Sequence, residues 1–330
     1  MNRKGYLSGL RKGKEGRGLH DGVRIPSVGN VEPPKEHHVV LTVIFKEELA
    51  YLEEWIEYHR LLGVDHFYFY NNECDNRSYT GPILAPYVEA GWITHIDWCV
   101  SQLPQVQAYN HALKTYGDST HWMGFTDVDE FLVPLRTSVE ELPYRTVLRT
   151  VLEEFEPFGG VFINWYLFGS NGHQTPPAGS TLTQFLTRAA PHEKRHGYGK
   201  TIMHPGMGRF TTSVHKPFYS DPHFGVATDK QPIPNVWSKD WQKIDAVHER
   251  LALNHYRPRS VQEYLRKLAR GRPHTPTEYN RVYLRCDDIL DMRIIEKAYA
   301  MLDMLAIEDA EEAGRVEAII LDWGRDKGLP

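Results

Sequence analysis

Cysteine is scarce in this chain: three in 330 residues, Cys74, Cys99 and Cys286, set far apart. They form no CxxC pair and no zinc-ligand spacing, which argues against a disulfide scaffold, a thiolate zinc module and a dithiol redox site, and makes a reducing, cytoplasmic setting the expectation. Long apolar runs are missing as well. No stretch approaches the roughly 20 residues of a spanning helix, and the first residues lack the apolar segment of a secretory signal. Net charge is only -5, so no global field draws nucleic acid, and none is expected as a partner. Internal repeats and low-complexity tracts are absent. Glycine is absent from Phe45-Lys46-Glu47-Glu48-Leu49, where a sugar nucleotidyltransferase would carry a Gly-rich phosphate loop. That enzyme class therefore ranks second among the functional readings.

What is present is an ordinary globular composition, 41% hydrophobic and 25% charged, long enough for one large domain or two small ones. Residues 1–37 read as a disordered basic tail with Arg3, Lys4, Arg11, Lys12 and Lys14, closed by Pro33-Pro34. Such a tail offers weak peripheral membrane contact, about 1 kcal/mol per basic residue near anionic lipid, so the inner membrane face is a second expected location. Residues 38–285 read as one α/β domain and 286–330 as a helical extension.

Periodicity supports that division. Val39 to Phe45 is a continuous apolar run, as in a parallel strand covered on both faces. Leu49, Leu52, Trp55, Ile56 and His59 recur at helical spacing, so a helix is expected over 48–62, stopped by Gly63. A second strand follows at His66–Tyr70, then a helix at 83–90, a strand at 93–98, a helix at 105–116, the strand before Asp127, and a strand at 161–165. The alternation predicts a mostly parallel sheet flanked by helices. Residues 169–234 are irregular and read as active-site loops. Ser260 and Glu263 form a capping-box pattern opening a further helix, and 287–324 reads as amphipathic helix.

The acidic cluster Asp127-Val128-Asp129-Glu130 directly follows an apolar strand. Two carboxylates at i and i+2 there suit a hard divalent cation, Mn²⁺ or Mg²⁺, which takes one or two protein carboxylates and fills its shell with water and phosphate oxygens. In a parallel sheet, the turns at Lys46-Glu47, Asn71-Asn72 and Asp127-Val128-Asp129 would gather on one edge, where open α/β sheets bind ligands. Gln107 and Asn110, one helical turn apart, would point toward the same place.

The segment containing Glu47, Tyr51-Leu52-Glu53-Glu54-Trp55-Ile56-Glu57-Tyr58-His59 and Gly63 to Tyr68 resembles the opening of glycosyltransferase family 92, a relative of the family 2 glycosyltransferases. The resemblance continues through Gln107-Ala108-Tyr109-Asn110, Trp122 to Phe131, Ile163-Asn164-Trp165, Phe168-Gly169-Ser170, Gly172-His173, Asn254-His255-Tyr256 and Ser260 to Gly271. It spans about 39–271 and looks most like the bacterial branch. It implies a GT-A fold, a nucleotide-sugar donor with a UDP-sugar favoured, a glycan or other hydroxyl acceptor, and Asp127-Val128-Asp129 as the DxD motif holding a divalent metal. Eukaryotic members of the family imply galactose as the sugar and inversion at its anomeric carbon. One departure is the turn Asn71-Asn72-Glu73-Cys74-Asp75, with Asn where the family usually has Asp.

On that resemblance, the metal ligands are expected to be Asp127 and Asp129 with His255, and His215 is a rival for the histidine place. Asp127 could alternatively reach the ribose. Glu47, Asn71, Asn72, Gln107, Asn110, Trp165 and Lys200 are expected at the nucleotide or sugar, with Lys216 beside Lys200 as a diphosphate partner. His215, His173, Glu130 and Glu249 are the candidate general bases, a role suited to a tuned imidazole or carboxylate. The sequence does not choose among them. A carbohydrate-binding protein with a dead site is the reading from a different functional class.

Overall fold

The computed structural model describes residues 37–73, 77–211, 213–234, 245–270 and 281–321. The basic tail, apart from His37, lies outside these residues, as do Cys74 and Asp75 of the turn noted above. In chain order the main elements are β1 (His37–Phe45), α1 (Leu52–Leu62), β2 (His66–Asn71), α2 (Arg77–Glu89), β3 (Ile93–Asp97), α3 (Pro104–Tyr116), β4 (Thr120–Thr126), β5 (Glu130–Pro134), α4 (Val147–Glu153), β6 (Gly160–Leu167) and α5 (Thr181–Gln184). Then come β7 (Thr187–Arg188), β8 (Gly199–Met203), β9 (Gly208–Arg209), β10 (Phe218–Tyr219), β11 (Gly225–Ala227), β12 (Leu251–His255), α6 (Val261–Arg270), β13 (Ile289–Leu290), α7 (Arg293–Glu308) and α8 (Ala310–Ile320).

The central sheet runs β3-β2-β1-β4-β8-β6-β12-β5, with β11 also on β6. β1, β2, β3 and β4 are mutually parallel, as the alternation of strand and helix predicted. The sheet as a whole is parallel only in part. β8 lies antiparallel between β4 and β6, and β5 lies antiparallel on β12. β8 comes from 169–234, read from sequence as loops, so that expectation is corrected. Its five residues are all buried, but a five-residue strand amid Gly, Pro and His carries too little periodicity to stand out. Gly199 starts it because a Cβ there would lie 1.9 Å from the Ile163 carbonyl oxygen.

Both sheet faces are covered, which explains the unbroken apolar runs. Val39, Leu41, Val43, Phe67 and Phe69 face a core shared with Trp55, Ile56, Leu84, Leu148, Ile294, Met301 and Val316. Val40, Tyr68, Tyr70, Met123 and Phe125 face the other way, onto Val106, Tyr109 and Ala112 of α3. α7 and α8 thus contribute to the main core. Gly63 ends α1 in the left-handed conformation, φ 98°. α2 begins earlier than its periodicity suggested and contains Pro82 and Pro86.

Candidate functional site

Parallel pairing sets the carboxyl ends of β1, β2 and β4 along one edge, since Phe45 pairs with Asn71 and Val43 with Thr126. β6 and β12 run in the same sense, so His255 also ends at this edge. β8 is inverted, and its first residues, Gly199 and Lys200, therefore arrive where the other strands finish. Strand direction alone brings Asp127, Asp129, Lys200 and His255 together from three distant stretches of chain.

The turn after β4 is fixed by its own residues. The Glu130 amide donates to the Asp127 carbonyl at 3.0 Å, and the buried Glu130 carboxylate accepts from the Asp127 amide at 2.9 Å. Glu130 thus shapes the turn. Burial pushes its carboxyl well above the ordinary range, despite Lys200 nearby.

Asp127 and Asp129 have different surroundings. Asp127 Oδ1 meets Lys200 Nζ at 2.9 Å and accepts from Gln105 Nε2 at 2.6 Å. Burial would raise its carboxyl, but Lys200 outweighs that and holds it below the usual value. Asp129 is 1% exposed. His255 Nε2 stands 3.5 Å from its Oδ1, and Lys267 of α6 contacts its Oδ2. Burial again opposes ionisation, and Lys267 and His255 overcome it, leaving Asp129 well below the ordinary range. Both carboxylates are therefore anions at neutral pH. Arg259 adds a third cation, its guanidinium 3.4 Å from the Val128 carbonyl and stacked over Tyr51.

Trp165 forms a wall beside this cluster, its ring 4.3 Å from His255 and 5.2 Å from His215. Burial and the nearby Lys200 push the His215 imidazole down to about 3, so it is neutral. Its Nδ1 lies 2.9 Å from the Gly199 carbonyl, which assigns the proton to that nitrogen. Glu130 Oε1, Trp165 Nε1 and His255 Nδ1 are buried without a hydrogen-bond partner. Three such atoms around one cluster are what a polar ligand would satisfy.

Other expected residues are engaged differently. Gln107 turns its amide to the Gln102 carbonyl, and Asn110 bonds Phe210 through both its carbonyl and its amide. It is Gln105, two residues before Gln107, that reaches Asp127. Glu249 pairs with Arg136 just before β12, at the opposite edge from His255, and is not part of the cluster. His173 places Nε2 at 3.0 Å from the Gln184 carbonyl and packs on Phe185. Lys216 donates to Pro234. Asn72 donates to Trp98 at 2.6 Å, and Asn71 accepts the Glu73 amide at 2.9 Å. Glu47 is exposed, with φ 53° and its amide held by Glu73. Lys267, Arg259 and Gln105 were not singled out from sequence. Lys267 lies within the Ser260–Gly271 stretch, but nothing in a helical Lys announces a carboxylate 138 residues away.

The three expected metal ligands do not converge as a set. Asp129 and His255 are adjacent, but Asp127 is turned to Lys200 and Gln105. Among the described residues, the only three His, Cys, Asp or Glu side chains with donor atoms all within 4.8 Å of one another lie elsewhere. Asp129 and His255 alone fit a divalent ion as an oxygen–nitrogen donor pair that would leave most of its positions for phosphate and water.

A family model, glycosyltransferase family 92, matches residues 38–281. Similar curated proteins include a glycosyltransferase family 92 protein of Arabidopsis thaliana, 24% identical over 52% of this chain and 29% of that protein. Another, from Oryza sativa subsp. japonica, is 26% identical over 55% of this chain and 31% of that protein. The chain spans under a third of the length of these relatives. Among solved structures, S. aureus TarS 1-349 in complex with UDP overlays with a TM-score of 0.36 and 11% identity, covering 86% of this chain and 75% of that one. That overlay is too loose to carry residue positions across. No helix among the described residues is long and apolar enough to cross a membrane.

Proposed function

The chain belongs to glycosyltransferase family 92, and from that premise we propose that it transfers a sugar from a nucleotide-diphosphate donor, with a UDP-sugar favoured, to the hydroxyl of a glycan or similar acceptor. The observation that carries this reading is the pair of ionised carboxylates, the half-buried Asp127 and the buried Asp129, at the carboxyl edge of the parallel strands, with His255 against Asp129 and Lys200 against Asp127.

The barrier in such a transfer is departure of the diphosphate as its negative charge grows. Preorganised cations aimed at that charge lower the barrier, most effectively where water is excluded. Lys200 is 1% exposed and held between Asp127 and Glu130, so its charge is fixed in place. Lys267 is more accessible, 29% exposed at its side chain, and can shift from Asp129 to an incoming phosphate. Asp129 and His255 are the residues that would hold a divalent metal, Mn²⁺ or Mg²⁺, which when bound supplies Lewis-acid neutralisation of the diphosphate. Trp165 is packed between Tyr198 and His255, and its unpartnered N–H is a donor for the sugar or base.

Inversion by single displacement requires a base at the acceptor hydroxyl. His215 is our assignment among the four candidates. Glu130 is locked into the turn by the Asp127 amide, Glu249 sits at the other edge, and His173 packs against Phe185. His215 stands beside Trp165 at the cluster; burial and Lys200 hold its imidazole down to about 3, so the base role requires bound substrate to raise it. Galactose is the sugar that the family resemblance suggests.

A second reading has support of its own: Lys200 and Lys267 already pair with both carboxylates, an arrangement able to neutralise diphosphate without metal. Nucleotide release from a panel of nucleotide sugars, with Mn²⁺, with Mg²⁺ and with EDTA, tests both. Release that EDTA abolishes supports the metal-dependent reading, and release that survives EDTA supports the second. No release from any donor in any condition overturns sugar transfer.

A further inference from the structure

A second group of ligand-type side chains lies at the opposite edge of the sheet. His38 is near the start of β1, His121 near the start of β4, His204 directly follows β8, and Glu156 stands between α4 and β6. Six residues separate His121 from Asp127, about 20 Å along a strand, so this group is remote from the acidic cluster. His38, His121 and Glu156 each offer a donor atom within 4.8 Å of the others. The β1–β4 register pairs His37 with Thr120 and Val39 with Trp122, so the backbone sets His38 opposite His121.

The carboxylate of Glu156 has an imidazole at each oxygen. His121 Nε2 lies 2.8 Å from Oε1, and His204 Nε2 lies 3.7 Å from Oε2. Trp122 Nε1 also donates to Oε1, at 3.1 Å, which fixes the carboxylate's orientation. The tautomer of His204 follows from its other nitrogen. Nδ1 sits 3.1 Å from the His121 carbonyl oxygen, an approach that calls for an N–H. Nε2 of the neutral ring then faces a carboxylate oxygen at 3.7 Å, a gap that a proton or a bound cation would bridge. Metal-binding histidines are oriented in this way, with the far nitrogen tied to a backbone carbonyl. Burial lowers the His204 and His38 imidazoles. Arg149 donates to His38 Nδ1 at 3.1 Å and competes for that ring, which makes His38 the weakest of the ligands.

We propose that His38, His121 and Glu156 bind one divalent transition-metal ion of the zinc class, with His204, 3.7 Å from the Glu156 carboxylate, closing on it as the fourth ligand. Imidazole and carboxylate donors in a four-membered set match that ion's preferences. The ion would clasp the starts of β1 and β4 to the end of β8 and to the segment after α4, away from the acidic cluster.

The test uses tag-free, full-length protein stripped with EDTA and titrated with Co²⁺, whose visible absorption reports tetrahedral binding. The Asp129→Asn background removes the other donor pair. One equivalent of Co²⁺ with a tetrahedral spectrum, displaced by Zn²⁺, is expected there, and His121→Ala or Glu156→Gln in the same background should abolish it. Circular dichroism establishes that each variant is folded. Should Asp129→Asn fail to fold, the comparison is made in the parent protein, where His121→Ala must remove one equivalent. Absence of a tetrahedral signal, or a signal that survives both substitutions, would overturn the proposal.

Discussion

Lys200 is the side chain on which the charge balance of the acidic cluster turns. It is buried beside Asp127 and within 3.9 Å of Glu130, and its own pKa is raised, the two carboxylates outweighing its burial. Lys200→Met keeps the length and removes the charge. Breaking a fully buried pair typically costs about 3–5 kcal/mol; Asp127 is 34% exposed, so roughly 2–3 kcal/mol is expected here, read as a lower denaturant midpoint with the slope unchanged. Asp127 and Asp129 were legible in the sequence because two carboxylates after an apolar run are a local pattern. Gln105, Lys267 and Arg259 were not, because each reaches the cluster across a long stretch of chain, and Gln and Lys on helices are common surface residues.

Among the elements, α6 delivers Lys267 to Asp129 and Arg270 to the Lys46 carbonyl. Its start is held by the capping box read from sequence. Ser260 Oγ accepts the Glu263 amide at 3.3 Å, and Glu263 accepts the Ser260 amide at 3.0 Å. Ser260→Ala should cost about 1 kcal/mol of stability, and it should lower nucleotide-sugar affinity if Lys267 engages the donor. Equilibrium unfolding and donor titration of the same preparation check the two effects separately. Helices with local start and stop signals, such as α1 ended by Gly63, were legible to within a few residues. β8 was not, because a short inverted strand inserted between parallel neighbours depends on long-range pairing, and Gly199 records that constraint only as a close approach to Ile163.

At the scale of the whole molecule, several buried imidazoles set the response to acid. Burial holds His59 down to about 3, and His66, His196 and His248 to about 4. These groups are neutral in the folded protein, whereas the unfolded chain takes up protons near pH 6.5. Unfolding therefore binds protons between about pH 6.5 and pH 4, and these groups make stability fall as pH falls through that window. Denaturant unfolding at a series of pH values should show this as a positive slope of unfolding free energy against pH; a flat profile would show that these imidazoles protonate without unfolding. The two covered faces followed from the apolar runs, and the parallel β1–β4 half from the alternation of strand and helix. The mixed direction of the remaining strands did not, because hydrophobicity reports burial and is silent on strand direction. That mixed sheet is what joins Lys200 and His255 to the acidic turn, and the resulting cluster is the proposed seat of sugar transfer. Its most direct test is nucleotide release from the preferred nucleotide sugar in the presence of acceptor, comparing the parent protein with Asp129→Asn under saturating Mn²⁺. Loss of release by about 100-fold or more, on the order of 2.7 kcal/mol in transition-state stabilisation, is the result predicted; release at the parent rate by a folded Asp129→Asn protein would contradict it.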